Sequence, residues 1–140
     1  MANIDSEIRA ALEVHLASIS GIPDIAYENV PFDPTTGTSF IKVGYIPTLR
    51  RPAVRGLNPS QRYQGIFAVT VYAAEGNGPA TADNIATTII EAFEATTDIS
   101  FTNSSAQTFV VSIDYAERQQ GIVDSPFYQV PINIGWYIYN

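Results

Sequence analysis

The chain has a single histidine and no cysteine, and its fourteen carboxylates are set against seven basic side chains. That inventory decides most of its chemistry before any fold is considered. With no thiol there is no disulfide, no thiolate nucleophile and no cysteine metal site, which fits a reducing cytosol. One histidine cannot supply any of the usual zinc ligand sets. His15 could act as a general base, but neither a serine nucleophile elbow nor another triad signature accompanies it. It falls beside an apolar stripe, next to Leu16 and four residues after Ala11, and is read as a structural or surface histidine. The run Gly76-Asn77-Gly78-Pro79-Ala80-Thr81 stands where phosphate loops stand, between a strand and a helix. It lacks the GK[ST] ending and the third glycine of the dinucleotide fingerprint, and Pro79 removes an N–H donor, so it reads as a tight turn opening a helix. Glu91 and Glu94 lie near one another on that helix, but catalytic carboxylates need a cleft and contrasting environments. They read as solvated surface. No calcium-loop spacing occurs. No catalytic residue, cofactor-binding residue or metal ligand is assigned, and no enzyme activity is expected.

Two other constellations carry contrast. Arg50, Arg51, Arg55 and Arg62 are four of the seven basic residues in a chain of net charge −7. They fall between Pro47 and Gln64, a stretch with three prolines, Gly56 and Asn58 that reads as a long basic loop. Arginine forks suit carboxylates across protein interfaces. Docking on a neighbouring protein and a merely solvated loop are both consistent with this composition. Contact with nucleic acid stands behind them, since Tyr63 is the only aromatic there and the overall charge repels phosphate. The second constellation is Trp136-Tyr137-Ile138-Tyr139 at the C-terminus. Alternation sends Trp136 and Ile138 to a core and Tyr137 and Tyr139 to the far face, where tyrosines also suit subunit pairing.

The elements that must position these residues follow from periodicity. Ile4, Ile8, Leu12, Leu16 and Ile19 recur at helical spacing, with Asn3 or Asp5 available as a cap, and Gly21 with Pro23 ends the helix. Ile25 to Val30 and Ser39 to Ile46 read as two strands of a hairpin with a long connection. Ile66 to Tyr72 is apolar on both faces, as in a central strand. Pro79 opens a second helix, with Ala82, Ile85, Ala86, Ile89 and Phe93 as its buried stripe. Two late strands alternate, one through Phe109, Val111, Ile113 and Tyr115, the other from Tyr128 to Ile138. They are joined by Glu117 to Ser125. The order predicts one α+β domain over residues 1–140, an antiparallel or mixed sheet of about five strands with two helices on one face. No signal peptide and no membrane-length apolar window is visible.

The segments Tyr27-Glu28-Asn29-Val30-Pro31-Phe32, Glu75-Gly76-Asn77-Gly78 with the helix ending at Phe93, and Asp124-Ser125-Pro126-Phe127-Tyr128-Gln129-Val130-Pro131-Ile132 resemble a family of small siphophage proteins related to lambda-like tail terminators. The resemblance covers most of the chain, the 47–64 stretch excepted. It implies a non-enzymatic virion protein that assembles in the host cytoplasm and sits at the head-proximal end of the tail. It further implies a hexameric ring of copies that caps the tail tube, ends its polymerisation and joins the neck, with the tube protein and the head–tail connector as partners. DNA would pass the lumen without specific binding, and no membrane or cofactor would be involved. Within that picture Arg50, Arg51, Arg55 and Arg62 are candidates for tube or neighbour docking, and Tyr137 and Tyr139 for the subunit interface. A head-side adaptor or stopper, a free-standing small-molecule binding domain and, further off, a cryptic hydrolase are the competing readings.

Overall fold

The structure, a computed structural model, describes residues 4–28, 30–31, 39–52, 61–74, 80–95, 97–102, 106, 108–124 and 127–139. Helix α1 spans Ile4–Ala17 and places Ile8, Ala11, Leu12 and Leu16 in the core. Gly21 follows with φ near +80°, a backbone state that a Cβ disfavours, so the helical exit is made where glycine stands. Asn3 lies outside the described residues; Asp5 lies inside the helix and accepts a hydrogen bond from the Tyr45 hydroxyl at 2.8 Å. Helix α2, Ala80–Ala92, buries Ala82, Ala86 and Ile89, and Phe93 is buried just beyond its end. Both helices contribute to one core cluster with Phe67, Val69, Val71, Ile132, Ile134 and Trp136 of the sheet.

Seven strands are described: β1 Asp24–Ala26, β2 Phe40–Pro52, β3 Gln61–Ala74, β4 Asp98–Thr102, β5 Thr108–Arg118, β6 Ile122–Asp124 and β7 Phe127–Tyr139. They form one mixed sheet in the order β1-β2-β3-β7-β5-β4, with β6 paired to β7 off that path. The expectation of about five strands is therefore too low. The additional strands are short: Ile122–Asp124 falls in the segment expected to join the last two strands, and Asp98–Thr102 in a stretch given no element, because three to five residues give alternation little length in which to show. The expected hairpin of the first two strands is also corrected: β1 lies parallel to β2, Asp24 opposite Phe40. The 47–64 stretch is not a loop for most of its length. Residues 47–52 and 61–64 extend β2 and β3, paired from Pro47↔Gly65 to Pro52↔Gln61 across a bulge between Pro47 and Leu49. The prolines mislead because Pro47 and Pro52 stand on a strand whose other side is not fully paired, where a missing N–H is tolerated.

The central position of β3 holds. Phe67, Val69, Val71 and Ala73 are buried on the core face, while Ile66, Ala68, Thr70 and Tyr72 are half-buried on the other. At one end of that second face Phe40, Tyr72 and Phe127 form a small satellite cluster, Phe40 stacked on Tyr72 at 4.5 Å. Gly65 allows a close approach of backbone and ring within the sheet. A Cβ there would overlap the Ile46 carbonyl and lie 2.7 Å from the Trp136 ring.

Candidate functional site

His15 projects from the last turn of α1, and its Nε2 lies 2.8 Å from the Ala92 carbonyl. Its ring meets Phe93 edge-on at 4.7 Å. One ring nitrogen therefore donates to the carbonyl at the end of α2, and the imidazole joins the ends of the two helices. Glu91 and Glu94 are exposed. The 76–79 part of the glycine run lies outside the described residues, and α2 begins directly after it. Among the described residues no group of three or more His, Cys, Asp or Glu side chains could hold a metal ion.

The two surface constellations meet. Register places Arg62 opposite Tyr139 and Gln64 opposite Tyr137. The Arg62 guanidinium lies 4.7 Å from the Tyr137 ring centroid and 5.5 Å from that of Tyr139. It donates to the Tyr139 hydroxyl at 2.8 Å and, through Nε, to Gln64 Oε1 at 3.1 Å. Arg62, Tyr137 and Tyr139 are thus one cluster, a cation held against two rings with two of its donors engaged. Arg50 is separate. It pairs in register with Tyr63 on the core-side face, and its exposed guanidinium lies 5.2 Å over the Tyr63 ring. Arg51 is placed by its backbone register opposite Arg62, and Arg55 lies outside the described residues. Strand alternation therefore divides the arginines between two faces of the sheet, where a loop would have left them as one patch.

A further polar network was not read from the sequence. The Tyr45 ring stacks on buried Trp136 at 5.4 Å, its hydroxyl donates to Asp5, and the Arg9 guanidinium lies 5.1 Å over it. The Tyr45 N–H, on the edge of β2 beyond the reach of β1, donates to Glu28 Oε1. Glu28 also stands 3.9 Å from Arg9, a partly exposed and weak pair. Burial first, then the hydrogen bond to Asp5, holds the Tyr45 phenol well above its ordinary range. Glu13, one helical turn after Arg9, is pushed up by burial and by Glu28, against the pull of Arg9. No spacing rule links residues 5, 9, 28 and 45, so only the fold could reveal them.

The remaining feature is a groove of about 600 Å³ between α1 and β4, with Ala10, Val14 and His15 on one wall and Ile99 and Phe101 on the other. The alternation of Ile99 and Phe101 was the available signal for it.

These observations define an α+β protein whose histidine and clustered Arg–Tyr groups are engaged in its own packing. Comparison with known families then places it. A family model described as phage tail terminator protein matches residues 7–136, and the chain belongs to that family. Tail terminators are structural proteins of the phage tail, which fits the non-enzymatic expectation and localises the chain to the virion tail. Among curated proteins none matches in sequence. Of solved structures, 13 chains match. One of them, 21% identical over 95% of this chain and 94% of its own, superposes with a TM-score of 0.70, a likeness of fold alone. No helix among the described residues is long and apolar enough to cross a membrane.

Proposed function

We propose that this chain, as a single domain, closes the head-proximal end of a tail tube as a hexameric ring, ending tube growth and offering its opposite surface to the neck. Family membership over residues 7–136 carries this reading. Ring closure by head-to-tail contacts uses both complementary patches of every copy, so addition stops at a fixed number where an open contact would continue as a filament. In this reading both helices cover one face of the sheet, and the face carrying Ile66, Tyr115 and Tyr137 stays available for assembly. A net charge of −7 suits a lumen past which DNA slides without binding. Arg50, Arg51 and Arg55 dock on the tube or a neighbour. Tyr137 and Tyr139 serve the subunit interface together with Arg62, which holds them.

The experiment is removal of the gene from its phage followed by negative-stain imaging. Tails of uncontrolled, excessive length are expected. Tails of normal length with leaking heads would instead assign the chain to the head-side neck and end the capping account. In solution, adding the purified chain to polymerising tube protein should stop elongation.

A further inference from the structure

The sheet has two unlike edges. On one, β1 covers the start of β2, Glu28 takes the Tyr45 N–H, and Pro47 and a bulge follow, so the backbone is blunted against strand addition. On the other, β4 pairs only with β5 among the described residues and carries neither proline nor a basic side chain. The Ile113 N–H donates to the Thr97 carbonyl at 2.9 Å, so that pair is hydrogen-bonded across the ladder. Alternation then gives bonded pairs at Ile99–Val111 and Phe101–Phe109, which leaves the N–H and C=O of Ser100 and Thr102 directed away from β5. Beside this open edge runs the apolar groove floored by Ile99 and Phe101. Val14 of α1 is 68% exposed on its wall, and among the described residues Glu7 is its only charged lining residue.

Register fixes what stands level with the groove at the opposite edge. Asp98, Ser112, Tyr137, Gln64 and Leu49 form one row across the sheet. One step further toward the β2–β3 connection, Ile99 is opposite Val111 on one side, while Ile138, Tyr63 and Arg50 align on the other. Arg50 therefore lies at the same height as the groove floor. It also lies on the same core-side face, since both Tyr63 and Ile99 are buried there. The two sites are opposite in charge as well: Arg50 is exposed at one, and Glu7 lines the other.

We infer that the groove between α1 and β4 receives the Arg50-bearing end of the β2–β3 hairpin of a second copy of this chain. The inference rests on the ring reading and specifies its contact. A ring whose axis runs along the strands carries each copy to the next without change of height, so elements that meet must lie level on opposite edges. Arg50 and the groove satisfy that condition. The arginine meets the Glu7 end, and the open amides of β4 meet the incoming chain. Because Arg50 and the groove lie on opposite edges of the sheet, the contact is heterologous.

The native chain has no cysteine, so single thiols can be placed at will. Arg50→Cys and Val14→Cys chains, each checked for native circular dichroism, are mixed and treated with a short bis-maleimide. A covalent species of twice the chain mass is expected in the mixture, absent from either variant alone. It should also be absent when Thr88→Cys, exposed on α2, replaces Val14→Cys. Linkage of Val14→Cys chains to one another, or none above the Thr88→Cys control, overturns the inference. A closed native oligomer without the Arg50–Val14 link would refute this contact and leave the ring intact. Conversely, the doubly substituted chain giving an endless ladder would uphold the contact and refute the ring.

Discussion

Arg62 shows how a charged side chain can be conspicuous in the sequence and internally committed in the fold. Its guanidinium is bound to Tyr137, Tyr139 and Gln64 of its own sheet. Arg62→Ala should therefore destabilise the folded chain by about 1 kcal/mol in urea titration, the scale of an exposed cation–π contact plus a hydrogen bond. An unchanged midpoint would show that the cluster contributes nothing to folding. Glu13 supplies a pH test. Its carboxyl is raised in the fold, chiefly by burial, so the native state holds the proton more tightly than the unfolded chain. The destabilisation is then absent below the unfolded pKa and complete above the folded one, so stability from this group falls as pH rises through that window. Glu13→Gln should raise the melting temperature at pH 7, with the gain fading on acidification toward pH 4. A gain that persists undiminished in acid would remove the desolvation account.

At the scale of elements, the fold depends on the junction where the ends of α1 and α2 meet over the central strands. Phe93 is fully buried there, against the His15 ring and within 6.2 Å of Phe67. Phe93→Ala should cost about 3–5 kcal/mol, enough to abolish folding in a marginal domain. His15→Ala, which loses the Ala92 carbonyl and one aromatic edge, should cost about 1–2 kcal/mol, measured by the same denaturation. The β2–β3–β7 junction is tested at Gly65. An alanine Cβ there meets a backbone carbonyl and the Trp136 ring, so Gly65→Ala should lower stability by about 1–3 kcal/mol. A neutral result would mean that the strands can separate without loss.

For the whole molecule, assembly is the activity, and its predictions concern number and length. Charge reversal at Arg50 should leave the monomer's melting curve nearly unchanged, because the side chain is exposed and forms only a surface ring contact. The same variant should lose ring closure and tube capping, seen as a fall in native mass and as unterminated tubes. Retention of both would remove Arg50 from assembly. The pairing of folding and assembly readouts separates a damaged contact from a damaged fold.

Much of this protein was legible one residue at a time. The helical stripes of α1 and α2, the exit at Gly21, the core face of β3 and the inward Trp136 and Ile138 all follow from periods of 3.6 and 2, which burial imposes locally. The absence of thiols and the lone histidine followed from composition. What tertiary structure decided were the matters of long-range pairing. Prolines near Arg50 suggested a loop, yet pairing with Gly65 to Gln61 made a strand of it and divided the arginines between two faces. β1 turned out parallel because its partner was chosen by the sheet and not by the connection between them. The Arg62–Tyr137–Tyr139 cluster, the Tyr45 network and the groove beside β4 join residues distant in the chain: Glu28 and Tyr45 are 17 positions apart, and Arg62 and Tyr139 are 77. Local composition determines which groups a chain can offer; which of them touch is set by strand order and register, and those are properties of the assembled core.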